Sequence, residues 1–181
     1  MHNPMLRWLW LSLGVILLDQ ATKQLAEALL NAYQAVSVLP FFDLTLMYNK
    51  GAAFSFLNDH SGWQRWFFVI LALGVSGVLG MWLKRLRPDE KWGAIALALI
   101  IGGALGNVID RILFGQVIDF IDLYYLADGC LPGFARVGSA CHWPAFNLAD
   151  SAISVGVAIM LFDAFVLSEK RQPKGDPGKG A

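Results

Sequence analysis

Four stretches of the chain, approximately 8–29, 66–83, 92–113 and 148–167, are apolar enough for long enough to cross a bilayer. A hydrocarbon core of about 30 Å needs roughly 20 mostly apolar residues in helical form, since a backbone in lipid must satisfy its own hydrogen bonds. Of 181 residues, 56% are hydrophobic and 15% charged, and the mean hydropathy is +0.52, too apolar for an ordinary soluble domain. The expected fold is an all-α polytopic membrane protein with four transmembrane helices. The first stretch resembles the apolar region of a signal peptide. No small-residue cleavage site follows it, however, and "LLDQATKQLAEALL" continues with helical spacing to Leu30, so it is read as a retained span. A single membrane domain is expected over 1–169, with a disordered cytoplasmic tail, rich in Gly, Pro and Lys, over 170–181.

Basic residues orient the spans. Lys84, Arg85, Arg87 and Lys91 crowd one short loop, and Lys170, Arg171, Lys174 and Lys179 crowd the tail. The two longer loops hold only Lys50, Arg65 and Arg136. An excess of Lys and Arg marks the cytoplasmic side, so both termini are expected there and the long loops outside. Trp63, Trp66, Trp82, Trp92 and Trp143 fall near the expected interfaces, where amphipathic rings settle. A formal net charge of zero offers no electrostatic footprint for nucleic acid.

The outward loops have structure of their own. "FDLTLMYNKGAAFSF" alternates Phe42, Leu44, Leu46 and Tyr48 with Asp43, Thr45 and Met47, which predicts a short strand or hairpin ending in a turn at "NKG". The second loop holds Cys130 and Cys141. In an oxidising compartment they can form a disulfide, which for so short a loop would stabilise by ~3 kcal/mol; two free thiols are the alternative.

Ionisable groups within spans cost several kcal/mol each (order of magnitude) and face a protein interior or a wet cavity, so they are functional candidates. Asp19 and Lys23 lie four apart on one helix face and can pair, as a packing device or as part of a site. Asn107 and Arg111 also lie four apart, with Asp110 adjacent; Arg111 is near enough to the span end to snorkel instead. Gly102 and Gly106 suit close helix approach. Asp163 can snorkel or pair with Lys170 or Arg171. Asp119 follows the third span and Asp150 begins the fourth, so antiparallel spans would bring them to the same side of the membrane. Asp150 taken alone is equally a helix cap, with Asn147 as its rival for that role. Asp122 reads as a solvated surface carboxylate.

Four motifs in order, "YNKGAAFS" at 48–55, "GGALGNVIDR" at 102–111, "GQVIDF" at 115–120 and "FNLADS" at 146–151, resemble bacterial lipoprotein signal peptidase, or signal peptidase II, over nearly the whole chain. The resemblance implies an aspartic endopeptidase of the plasma membrane that removes signal peptides from diacylglyceryl-modified prolipoproteins, cutting on the N-terminal side of the lipidated cysteine. Asp119 and Asp150 then correspond to the catalytic pair, and Asp19, Lys23, Asn49, Asn107, Arg111 and Asn147 to supporting or substrate-binding residues. It further implies a multi-pass protein of the inner membrane with its site at the outer, periplasmic face. The partners expected are lipidated prolipoproteins and membrane lipids, with no nucleic acid; no metal or other cofactor is needed, and a monomer is expected. The segment between Asp122 and Pro144 is longer than the family leads one to expect.

The chemistry fits the residue types. Two close carboxylates cannot both ionise comfortably, so one holds a proton while the other activates water, which supplies acid and base together. A thiol oxidoreductase would need a closely spaced redox pair and a relay pair, which Cys130 and Cys141 do not supply. A proton-coupled transporter could use Asp19, Lys23, Asp110 and Arg111, but the chain has no inverted repeat. His2, His60 and His142 are scattered, without the pattern of a serine or metal peptidase.

Overall fold

The computed structural model describes residues 3–51 and 62–167. A short turn of helix, Pro4–Trp8, is capped by Asn3, whose Oδ1 accepts from the Met5 N–H at 2.9 Å. It leads into α1 (Leu9–Leu29); α2 (Trp63–Arg85), α3 (Lys91–Phe114) and α4 (Leu148–Phe162) follow, and α4 runs on through a π-turn at Asp163–Leu167. Helix α3 is the hub, packed against α1, α2 and α4. Its sequence explains this, because Ala94, Ala96, Ala98, Gly102, Gly103 and Gly106 let backbones approach closely. A Cβ on Gly103 would collide with the Ala149 carbonyl oxygen, and one on Gly106 would lie 2.7 Å from Asp19 Oδ2.

Helix α2 differs. It is apolar all round and buries only Gln64, Val69, Ser76 and Leu83, the pattern of a helix surrounded by lipid. Helices α2 and α3 and the stretch Leu148–Val166 are long and apolar enough to cross a membrane. Helix α1 has the length, at 21 residues, but carries Asp19 and Lys23, both fully buried.

The expectation of an all-α protein whose only β element lies in the first loop needs correction. The segments between α1 and α2 and between α3 and α4 both contribute to one antiparallel five-stranded sheet, ordered β1-β2-β3-β5-β4. The strands are β1 (Ala35–Leu39), β2 (Phe42–Asn49), β3 (Val117–Leu126), β4 (Ala135–Val137) and β5 (Ala140–His142). β3, "VIDFIDLYYL", is rich in β-branched and aromatic residues, yet Val117, Ile118 and Asp119 are all buried in succession. Cover on both faces erases the period-two signal that would have announced a strand. In β2 the alternation is present, but two of its polar members are buried along with Leu46: Asp43 and Thr45 lie beside Asp122, the cross-strand partner of Asp43.

Asp122 is therefore not a solvated surface group. It is 3% exposed, accepts from Thr45 Oγ1 at 3.3 Å and lies 2.8 Å from His142 Nδ1. Cys130 and Cys141 are joined by a disulfide with a Cα–Cα separation of 5.4 Å, tying the β4–β5 hairpin to the end of β3. Residues 52–55 of the first motif, His2, His60, and the tail with Lys170 and Arg171 lie outside the described residues.

Candidate active site

Two local devices bring the polar residues together. Gly115, left-handed at φ 77°, ends α3 by donating its N–H to the Arg111 carbonyl at 3.1 Å, and the chain turns directly into β3. Phe146 then exchanges backbone hydrogen bonds with Ile121, at 3.1 and 2.9 Å, which fastens the start of α4 to β3. Asp119 on the strand and Asp150 in the first turn of α4 consequently face the same space.

Asn147 joins them. It is the N-cap of α4: its Oδ1 accepts from the Asp150 N–H at 3.0 Å, while Asp150 Oδ2 accepts from the Asn147 N–H at 3.3 Å, a reciprocal capping box. Its amide nitrogen donates to Asp119 Oδ1 (2.8 Å), Asn107 Oδ1 (3.1 Å) and the Ile118 carbonyl (3.2 Å), and the side chain is fully buried. Asn49, at the end of β2, donates to the other Asp119 oxygen at 3.0 Å, and its own Oδ1 accepts from the Gly51 N–H at 2.8 Å, so the "NKG" turn aims it. Asp150 Oδ1 accepts from Asn107 Nδ2 at 2.7 Å. Thus both carboxylates are held by neutral amides.

Beside this pair lies a second group of carboxylates. Lys23 Nζ is 2.7 Å from Asp19 Oδ2, 2.8 Å from Asp110 Oδ2 and 3.0 Å from Asn107 Oδ1, with both salt-bridged carboxylates fully buried. Asp19 Oδ1 accepts from the Ala149 N–H at 2.9 Å, and Asp110 accepts from Gln20 Nε2 at 2.7 Å and from the Ile118 N–H at 3.2 Å. Asn107 connects the two groups, its oxygen toward the ammonium and its nitrogen toward Asp150. Arg111 makes its contacts within the protein. Its guanidinium lies over the Phe68 ring at 5.2 Å, donates to the Asn107 carbonyl at 3.2 Å, and is within electrostatic reach of Asp150 and Asp119.

The environment perturbs Asp119. Burial first and the Asp150 carboxylate second push its carboxyl up to about 7, against the amides of Asn49 and Asn147 and the Lys23 charge, which lower it. Two cavities open on the pair. One of about 610 Å³ has Asp150 in its wall and runs from the aromatic rings of the outer sheet, Tyr124, Phe134 and Trp143 among them, to Ser154 and Val155 of α4. The other, about 280 Å³, has Asp119 and Asn49 in its wall and reaches Tyr33, Met47 and Pro144. The pair thus sits between an apolar chamber and a smaller, more polar one. Among the described residues, no group of three or more His, Cys, Asp or Glu side chains is arranged to hold a metal ion.

All eight residues singled out in the sequence, Asp19, Lys23, Asn49, Asn107, Arg111, Asp119, Asn147 and Asp150, belong to this one network. Gln20 and Tyr33 were not among them. A polar residue inside a span was signal enough for Gln20; nothing in the local sequence distinguishes Tyr33.

Comparison with known proteins bears on what the network is for. A family model described as "Signal peptidase (SPase) II" matches residues 11–166. A lipoprotein signal peptidase from Aeromonas hydrophila is 48% identical over 172 residues, covering 94% of this chain and 95% of its own. One from Pseudomonas fluorescens strain Pf0-1 is 52% identical over 161 residues, 88% of each chain. Among solved structures, a bacterial membrane enzyme determined by the in meso method at 2.3 Å resolution superposes with a TM-score of 0.74 at 26% identity, covering 97% of this chain and 99% of that one. Another, at 1.9 Å resolution, gives 0.71 at 27% identity over 88% and 93%.

Proposed function

The chain belongs to the signal peptidase II family, and from that premise we propose that it is an aspartic endopeptidase in which Asp119 and Asp150 hydrolyse the bond preceding the diacylglyceryl-modified cysteine of prolipoproteins. The observation that carries this reading is the raised Asp119 carboxyl beside Asp150, with neither oxygen pair neutralised by a direct salt bridge among the described residues.

In this reading the shared proton resides chiefly on Asp119. Asp150, whose oxygens accept from the Asn147 N–H and the Asn107 amide, removes a proton from water lying between the carboxyls. Protonated Asp119 polarises the scissile carbonyl, the hydroxide adds, and the proton returns to the departing nitrogen as the C–N bond breaks. Asn49 and Asn147 bind the Asp119 oxygens from behind and fix its orientation. Arg111 adds positive charge near the pair without contacting it, which suits an oxyanion or a substrate backbone.

Location supplies the rest of the reading. Four spans, with α1 crossing because Lys23 pairs with the carboxylates that would otherwise oppose it, go with termini in the cytoplasm and a sheet outside the inner membrane. The pair then meets an apolar signal helix where its end emerges into water. The partners are lipidated prolipoproteins and lipids, and the unit is a monomer with residues 1–169 as its domain. The test is cleavage of a lipidated prolipoprotein by purified protein: wild type cleaves and Asp119→Asn and Asp150→Asn do not. Near-full activity in either variant removes the dyad.

A further inference from the structure

Tyr33 is strained without a structural reason. It is the one non-glycine residue with a positive φ, 61°, among those described, in a turn where its N–H donates to the Leu46 carbonyl at 2.9 Å. Glycine or asparagine would meet that turn more easily, because a Cβ in the left-handed region crowds the backbone. Burial does not compensate: the side chain is 69% exposed, and its ring touches only the edge of Tyr48, with centroids 6.4 Å apart. Tyr48 is in turn anchored by its hydroxyl, 3.2 Å from Glu27 Oε1. Strain of this kind, kept at the wall of a functional cleft, points to a task for the side chain.

The two cavities say what the task is. The chamber at Asp150 includes Ser154 and Val155, well inside α4, so it belongs partly to the membrane. Every residue lining the chamber at Asp119 comes from the outward segments, with Tyr33 forming one wall and Pro144 and Ala145 also lining it. A substrate lying across the pair would leave its signal helix and lipid on the first side and its exported chain on the second.

Resting on the peptidase reading above, we propose that Tyr33 is a substrate-binding residue that holds the polypeptide following the lipidated cysteine, its ring packing on extended chain in the Asp119 chamber. The left-handed turn is what aims the ring into that path.

The experiment compares two lipidated substrates, one ending at the modified cysteine and one continuing several residues beyond it. Tyr33→Ala raises KM about tenfold for the long substrate, with kcat held within about twofold, and the loss is confined to that substrate. Tyr33→Phe restores KM, since the ring and not the hydroxyl is used. Tyr33→Gly gives the same KM rise with a thermal midpoint equal to or above wild type, because the strain is released. Equal losses on both substrates, no loss on the long one, or a lowered midpoint for Tyr33→Gly would each overturn the proposal. Activity remaining in Asp119→Asn and Asp150→Asn would instead refute the peptidase reading, so the two failures are distinguishable.

Discussion

The molecule holds two groups of carboxylates joined through Asn107, and they are treated in opposite ways. Asp19 and Asp110 share the Lys23 ammonium and take backbone N–H bonds as well. Asp119 and Asp150 receive amide hydrogen bonds and the field of Arg111, and among the described residues no direct ion pair. The inner group has one ammonium between its two carboxylates and its oxygens taken up by hydrogen bonds, which suits a structural clamp between α1, α3 and α4. The outer pair keeps an electrostatic conflict unresolved and lines open cavities, which suits it to the proton transfer proposed for it. Fixed surroundings and an uncompensated charge are what a proton-transferring pair requires.

Each variant below tests that contrast. Asp119→Asn and Asp150→Asn should lower kcat by about 10³-fold or more while the thermal midpoint holds or rises, since a source of repulsion is gone. A large fall in stability would put the outer pair with the clamp. Lys23→Met should act in the opposite sense, stranding two buried carboxylates and destabilising by about 3–5 kcal/mol, measured as a lower midpoint in detergent. Adding Asp19→Asn and Asp110→Asn to it should recover part of the loss; no recovery would show that Lys23 matters for something other than charge.

Asn107→Ala should damage both groups at once, because one amide serves Lys23 and Asp150. We expect a stability loss of about 1–3 kcal/mol together with a kcat reduced roughly 10- to 100-fold. A variant that loses only one of the two would show that the groups are not linked through this side chain.

The last contrast is the dependence on pH. The Asp119 carboxyl is raised from 3.8 to about 7 on folding, so its contribution to stability is fully present below about pH 4 and is lost as pH rises through about 7. Wild type should therefore lose stability relative to Asp119→Asn between about pH 4 and 7, and kcat/KM should fall through the same upper limit as the acid form disappears. A flat difference between the two proteins would mean that Asp119 is ionised throughout.

Much of this was open to inspection in the one-dimensional chain. Span-length apolar runs are local, and a charge inside one is conspicuous whatever the tertiary structure, so α2, α3 and α4 and the residues Asp19, Lys23, Asn107 and Asn147 could be singled out directly. The capping box at Asn147 and Asp150 is likewise short-range. Pairings between distant segments leave no such trace. That Lys23 serves Asp110 as well as Asp19, that β3 is a strand, and that Asp122 is buried against Thr45 and His142 all depend on which segments the fold lays side by side. The same holds for Tyr33, whose backbone angle and position beside Asp119 arise only once β2 and the approach to α4 enclose the chamber. Sequence determined which groups would be costly to bury, because that cost belongs to each residue. Tertiary structure decided which of them would share an ammonium and which would be held by neutral amides, because that depends on the partners within a few ångströms.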